Sequence, residues 1–390
     1  MLELKAPVSC EVSLSDETGI LNPEQIKTVL KKLEADINEL EISGWESWFK
    51  AYGAEAWQEL LETLEALKKC FHIHCFNSGL LDGDGFTRAL TALRRNSNLG
   101  TLVFHFGRVS SPEDNPAAYA ELKMAAEAGF DACAAVTLDG QSAEVLDSLC
   151  EGALDGGASF VFFERPAPQR DAAGGDAFYE GVSHIREMRD LGMNVGFYNC
   201  FPNCISGGDA FGCFAGTVKC FINAEARLSP CRYSQKHTQG DLLHEDLQAL
   251  WHDGMFEPYR ADSDGLCGGC AHIGKCPRGC MLYALELGLD GDPLISLPED
   301  EEQTLQEVVL EDELCPVPRY NIRSEAFGWL LMRGAQVIPV TAKAGSVLAM
   351  LSGRHSLGDI EEKFGQGALS FVYSLYVRGF VEFREKIPDA

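Results

Sequence analysis

The sequence predicts an α/β chain built on a parallel sheet, and three observations carry the prediction. Short β-rich runs recur about every 30 residues up to Cys200. Segments with apolar residues at a helical period fill the gaps between them. The spacing leaves room for a crossover helix between successive strands, which parallel pairing requires. About six βα units of this kind fit a partial or open barrel, and a doubly wound sheet reads the same way. In either case the functional site is expected at the C-terminal ends of the strands.

The predicted strands are PVSCEVSL (7–14), ELEIS (39–43), FHIHCF (71–76), TLVFHF (101–106), ACAAVTL (132–138), SFVFFE (159–164) and NVGFY (194–198). One predicted helix carries Ile26, Val29, Leu30, Leu33 and Ile37 on a single face. Asn22 stands as its N-cap and Pro23 at its first position. A second helical face holds Trp57, Leu60, Leu61, Leu64 and Leu67, and a third holds Phe178, Val182, Ile185 and Met188. His72, His74 and His105 lie in strands and could reach a barrel mouth, although a strand histidine is more often a hydrogen-bonded core residue.

With 390 residues the chain has room for two or three domains, and an apolar fraction of 46% makes it globular. The formal charge of −27 argues against nucleic-acid binding, which needs a basic face. No apolar run approaches the roughly 20 residues that span a bilayer. The opening MLELKAPVSC lacks the layout of a signal peptide, so a cytoplasmic location is expected.

There are 15 cysteines. Cytosolic thiols stay reduced, so their spacing decides their use. Cys10, Cys70, Cys75, Cys133 and Cys150 are scattered through apolar segments and read as small buried core residues. The other ten lie between Cys200 and Cys315. CFAGTVKCFINAEARLSPC runs from Cys213 to Cys231, and CGGCAHIGKCPRGC from Cys267 to Cys280. Cys267, Cys270, Cys276 and Cys280 are close enough for one loop to wrap their sulfurs around a metal centre. Gly268, Gly269 and Gly279 relieve backbone crowding there. On spacing alone a structural zinc site and an iron–sulfur cluster both fit.

This region resembles the SPASM domain of radical-SAM peptide-modifying enzymes. Cys213 and Cys231 fit the first pair of that family's pattern, with Ala226 where a glycine usually lies. Cys267, Cys270, Cys276 and Cys280 fit its CxxCxxxxxCxxxC run, and Cys315 fits its final position. The intervening segment, GDLLHEDLQALWHDGMFEPYR, looks like the family too. The resemblance implies two interleaved [4Fe–4S] clusters and displaces zinc. Cys213, Cys231 and Cys280 would hold the first with one upstream cysteine, taken as Cys204, with Cys200 the alternative. Cys267, Cys270, Cys276 and Cys315 would hold the second. Cys220 is left over as a core thiol.

The same resemblance breaks down in the first half. A radical-SAM barrel follows its first strand with CxxxCxxC, whose cluster binds S-adenosylmethionine. Here the segment reads VSCEVSLSDETGILNPEQI, and with Cys10 as first ligand Leu14 and Glu17 would fill the other places. SGWES (43–47) resembles the family's GGEP segment through Gly44 and Glu46, a degenerate cofactor remnant. Trp45 is expected to obstruct a ligand there, and FNSG (76–79) is similar to a TNG-like segment. S-adenosylmethionine is therefore not expected as a cofactor, nor standard radical-SAM catalysis.

In the C-terminal segment, WLLM and QVIPV flank Arg333–Gly334–Ala335 as a predicted hairpin. Helical patterns follow at about 342–352, 356–364 and 367–378, with Ser356 and Asp359 capping the second. FVEF (380–383) reads as a closing strand. The arrangement is similar to the winged-helix PqqD-like peptide-recognition domain, which adds a leader peptide as a strand beside the hairpin. In this chain that means residues 328–341 and 367–378.

The chain therefore reads as a degenerate radical-SAM-like partial (βα)6 barrel (1–199), a SPASM iron–sulfur domain (200–315) and a PqqD-like domain (316–390). The resemblance implies an accessory protein of ribosomal-peptide maturation, similar to the companion SPASM proteins of GeoRSP-type cassettes. Its partners would be a precursor peptide, a radical-SAM/SPASM maturase, or both, with neither nucleic acid nor membrane. Two rival readings are a peptide-modifying enzyme working through its auxiliary clusters and a zinc-stabilised peptide-binding module.

Overall fold

The computed structural model describes residues 3–109, 111–168, 176–198, 201–207, 214–234, 237–260, 267, 276, 279–295, 311–334 and 336–385. The chain divides into two units, Met1–Glu299 and Asp300–Ala390.

The strands of the first unit are β1 (Ser9–Ser13), β2 (Ser15–Asp16), β3 (Gly19–Ile20), β4 (Glu39–Ser43), β5 (Cys70–Cys75), β6 (Leu99–Gly107), β7 (Asp131–Thr137), β8 (Phe160–Glu164), β9 (Val195–Phe197), β10 (Lys219–Ile222) and β11 (Leu228–Ser229). Nine of them form one sheet in the order β11-β10-β1-β4-β5-β6-β7-β8-β9. Every pairing in it is parallel except the antiparallel β10–β11. All seven predicted strands are present. An eighth parallel strand is contributed by the cysteine-rich segment: β10 pairs with β1 from Ser9↔Lys219 to Val12↔Ile222. Four residues with no helix leading into them carry too little pattern to be read in advance.

The crossovers are α1 (Pro23–Leu33), α2 (Trp45–Leu67), α3 (Gly83–Leu93), α4 (Pro116–Glu127), α5 (Ala143–Asp155) and α6 (Asp176–Asp190). Asn22 caps α1 in a reciprocal capping box with Gln25, and Ile26, Val29, Leu30 and Leu33 are buried, while Ile37 is buried beyond the helix end. Helix α2 breaks at Gly53 (φ 81°, ψ −177°), and its second half presents the expected Trp57, Leu60, Leu61 and Leu64 to the core. Phe178, Val182, Ile185 and Met188 are the buried face of α6.

Alternation along each strand divides the side chains. Cys10 and Val12 of β1 join the apolar core, while Ser9, Glu11 and Ser13 turn to the opposite, interior face. Cys10, Cys75, Cys133, Cys150 and Cys220 are buried, but Cys70 is exposed. It is the first residue of β5, where the strand emerges, and its Sγ lies 3.7 Å from His72 Nε2.

The second unit holds β12 (Cys315–Pro318), β13 (Asn321–Glu325), β14 (Gly328–Arg333), β15 (Gln336–Thr341) and β16 (Val381–Arg384). β14 and β15 form the predicted hairpin, with Arg333 opposite Gln336 and Gly334 at φ 57°. β13, unannounced in the sequence, adds to β14 and makes a three-stranded sheet. Helices follow at Gly345–Leu348, Leu357–Phe364 and Gln366–Val377. Ser356 and Asp359 close a capping box on the second. β16 pairs antiparallel with β12, Cys315 opposite Arg384. A separate core around Leu331, Leu351, Ile360, Val372 and Leu375 holds this unit together. Among the described residues no helix is long and apolar enough to cross a membrane.

Candidate metal centre and barrel interior

A cavity of about 760 Å³ opens at the C-terminal ends of the strands, where a parallel sheet places its site. Glu11 and Ser13 of β1, Ser43 at the end of β4, and Phe76 and Asn77 after β5 line it, with Arg232 closing over them. Arg232 donates from Nη2 and Nε to Glu11 Oε2 at 2.9 and 3.2 Å. Ser43 Oγ donates to the other Glu11 oxygen at 2.9 Å. The guanidinium also lies 4.3 Å over the Phe76 ring, and that ring stacks on His105 at 3.9 Å.

Below Phe76 the interior is charged. His74 Nε2 lies 3.3 Å from Glu41 Oε2, His74 Nδ1 lies 2.8 Å from His105 Nε2, and His105 Nδ1 lies 3.2 Å from Glu164 Oε1. Lys219 Nζ meets Glu41 Oε2 at 2.5 Å. Three hydrogen bonds joining two carboxyls and two imidazoles need three protons, one per bond. Two neutral imidazoles bring only two, so the four groups together carry one proton more and a net charge of −1. Adding Glu11, Lys219 and Arg232 brings the interior to neutrality. This balance is what makes so many buried ionisable groups tolerable. Burial would raise Glu41, but Lys219 and His74 outweigh it and hold its carboxyl well below the usual range. Burial pushes His74 down to about 4, against the pull of Glu41. His74 and His105 are thus core residues beneath the cavity, and His72 lies further back along β5, its Nδ1 accepting the Thr101 N–H at 3.1 Å.

The segment after β1 is a tight hairpin, β2–β3. Asp16 Oδ1 accepts from the Thr18 N–H at 2.8 Å, and Oδ2 accepts from the Ala224 N–H at 3.0 Å. Cys10 is buried inside β1, Leu14 is buried beside it, and Glu17 is exposed at the turn. Gly44 adopts φ 67°, and a Cβ there would stand 2.0 Å from the Ser15 carbonyl oxygen. Only glycine lets the hairpin come this close. Glu46 is buried behind the cavity wall, its Oε1 accepting the Asn77 N–H at 3.0 Å. Burial pushes its carboxyl up to about 7. Trp45 does not obstruct the cavity, contrary to the expectation from its size. Its indole is buried, stacked on Trp57 at 5.3 Å and beside Phe86 at 6.1 Å.

Of the predicted cluster ligands, Cys213 and Cys270 lie outside the described residues, as does the alternative Cys200. Cys231 and Cys280 come together in an apolar pocket with Tyr259, Leu282 and Tyr283. Cys204 sits half-buried in the short helix Asn203–Ser206. The neighbouring Asn203 N–H donates to Cys276 Sγ at 3.3 Å, which brings Cys276 beside the turn that carries Cys204. Cys267 is half-buried. Cys315 belongs to the second unit, where it opens β12, fully buried, with its thiol 3.7 Å from the Glu313 carbonyl oxygen. Among the described residues no three His, Cys, Asp or Glu side chains converge to hold a metal ion.

Residues 213–277 match SPASM, an iron–sulfur cluster-binding domain. The fold is similar to that of Streptococcus suis SuiB bound to the precursor peptide SuiA, with a TM-score of 0.56 and 15% identity over 74% of this chain and 75% of that one. SuiB bound to S-adenosylmethionine gives 0.55 and 15% over 74% of each. The enzyme anSMEcpe with bound AdoMet gives 0.51 and 11%, over 70% of this chain and 89% of that one. No curated protein matches the chain. The α/β sheet is thus of the kind found in radical-SAM enzymes, followed by a SPASM domain.

The donors at Cys231 and Cys280 fit an iron–sulfur group. Burial, with Cys280 alongside, pushes the Cys231 thiol up to about 11. Two thiolates in an apolar pocket need a positive counter-charge, which cluster iron supplies. Ala226, placed where the family has glycine, holds φ 59°, and Lys68 is the other non-glycine residue with positive φ among those described. The anchors of this region were not read from the sequence. Arg232, next to Cys231, reaches Glu11 of β1. Arg165, just past β8, meets Asp292 at 2.5 Å. Glutamate in mid-strand, as in SCEVS and ELEIS, was the available signal that the interior is polar.

Proposed function

We propose that this chain is an iron–sulfur accessory protein of ribosomal-peptide maturation. It holds two [4Fe–4S] clusters and binds a precursor peptide or a partner radical-SAM maturase, and it does not itself cleave S-adenosylmethionine. The observation that carries this reading is the pairing of a SPASM match over residues 213–277 with the β2–β3 hairpin. That hairpin stands where the resembling enzymes place their CxxxCxxC loop, and neither buried Leu14 nor the turn residue Glu17 offers a thiolate there. Gly44 and Glu46 now serve the hairpin and the Asn77 amide, which supports shared ancestry with a cofactor-binding segment. The clusters would supply electron transfer or structural support. Cys204, Cys213, Cys231 and Cys280 would hold one, and Cys267, Cys270, Cys276 and Cys315 the other.

Residues 316–390 would recognise the peptide in the manner of a PqqD-like domain. Within the sheet β13-β14-β15 the strand β15 is an edge, and an edge is what strand addition uses. Tyr376 and Val377, exposed at the end of the helix Gln366–Val377, offer apolar contact to such a strand. SuiB, whose fold is similar, has been captured with its precursor peptide.

The test is iron, sulfide and zinc content after anaerobic purification, alongside an assay for deoxyadenosine. About eight irons and eight sulfides per chain with no deoxyadenosine fits the proposal. About twelve irons, or deoxyadenosine made by this chain alone, overturns the accessory role. Zinc without sulfide leaves a peptide-binding module.

A further inference from the structure

The contacts behind Cys280 form a closed set. Asp292 is fully buried, and both its oxygens are used: Oδ2 accepts the Cys280 N–H and Arg165 Nη1, each at 2.5 Å, and Oδ1 accepts the Leu294 N–H at 2.9 Å. The backbone leading into Cys280 is moulded to this carboxylate. Gly279 holds φ 76°, and a Cβ there would stand 2.3 Å from Asp292 Oδ2. On its other side the Arg165 guanidinium lies 3.9 Å over the Tyr283 ring, and the Tyr283 hydroxyl donates to the Pro166 carbonyl at 2.9 Å. The helix Met281–Leu287, which starts immediately after Cys280, is thereby clamped to the end of β8.

A fully buried ion pair is weak as a stabilising device, because the desolvation of both charges offsets their attraction. This pair touches the backbone amide of a candidate cluster ligand. Charge and hydrogen bonding around the sulfurs are what tune a cluster's potential. We infer that Asp292 is the positioning residue for the cluster held by Cys280, and that the Arg165–Asp292 pair sets that cluster's reduction potential through its two opposed charges. The inference rests on the reading of Cys280 as a ligand. Asp292 fixes the Cys280 backbone, and so the direction of its sulfur. Its negative charge favours the oxidised cluster, and Arg165 opposes that effect.

The experiment uses the full chain, purified anaerobically, with Cys280→Ala, Asp292→Asn and Arg165→Met variants. Iron and sulfide are counted, cluster potentials are read by redox titration with electron paramagnetic resonance, and the melting of each chelator-stripped apoprotein is followed. Cys280→Ala is expected to lose about four of about eight irons. Asp292→Asn is expected to raise one cluster potential and Arg165→Met to lower the same one, although both substitutions destabilise the apoprotein. A residue that merely supports the fold would lower the apoprotein melting temperature without moving the potentials in opposite directions. Full iron in Cys280→Ala overturns the ligand reading itself. Iron lost in Cys280→Ala, with the two potentials unmoved or moved in the same direction, overturns the inference alone.

Discussion

His74 Nδ1 and His105 Nε2 lie 2.8 Å apart inside the barrel, and the carboxylates of Glu41 and Glu164 close the pair at its two ends. Burial holds the His74 imidazole down at about 4, compared with an ordinary 6.5. Between those values the unfolded chain binds the proton and the folded chain does not. The contribution of His74 to stability is therefore complete above pH 6.5 and is lost as the pH falls toward 4. It is on the order of 3 kcal/mol. Urea unfolding of the protein and of His74→Gln across that range should show the gap between them closing on acidification. A gap independent of pH would mean that His74 is charged in the fold.

Glu46 works in the opposite sense. Its carboxyl is raised from 4.5 to about 7 by burial, so the folded state holds a proton that the unfolded state has released. Stability is lost as the pH rises from about 4.5 to 7, by on the order of 3 kcal/mol, and the loss ends above that. Glu46→Gln keeps an oxygen for the Asn77 N–H and removes the titration. Its advantage over the parent protein should grow through this window and then level off, as read by denaturant midpoints at a series of pH values.

Ala226 holds a left-handed conformation at φ 59° in the turn where Asn223 Oδ1 accepts the Glu225 and Arg227 N–H groups at 3.0 and 2.8 Å. Ala226→Gly should raise stability by about 1 kcal/mol, because a Cβ in this region carries a steric cost that glycine avoids. Thermal melting of the two proteins checks it.

Gly44→Ala should do the reverse. The added carbon meets the Ser15 backbone at 2.0 Å, so β2–β3 has to move, at a cost of about 3 kcal/mol or more. Backbone amide exchange at residues 14–21 should rise with the loss of stability.

Arg232→Met leaves Glu11 with only Ser43 among the partners described above, in a wall where Glu11 is 3% exposed. Removing one member of a buried pair costs about 3–5 kcal/mol. Glu11→Gln combined with Arg232→Met should recover part of that loss, which a double-mutant cycle measures.

The periodic features were legible in the sequence. Seven strands, the capped helix at Asn22, the hairpin at Gly334 and the capping box at Ser356 all follow from local rules of alternation, helical period and backbone freedom. The cysteine spacing pointed to SPASM for a comparable reason. A metal-binding loop is a local object, and its ligand intervals are written along the chain.

What no local rule reports is which distant charges meet. Glu11 finds Arg232, Glu41 finds Lys219, and Arg165 finds Asp292 across separations of 221, 178 and 127 residues. Strand β10 carried too few residues to announce that it would pair with β1 and bring Lys219 into the interior. The sequence alone determined the alternation of strands and helices and the cysteine intervals. Only the tertiary structure decided how the barrel interior is neutralised and which carboxylate stands behind Cys280. The cost of burying a charge depends on what is packed against it in three dimensions.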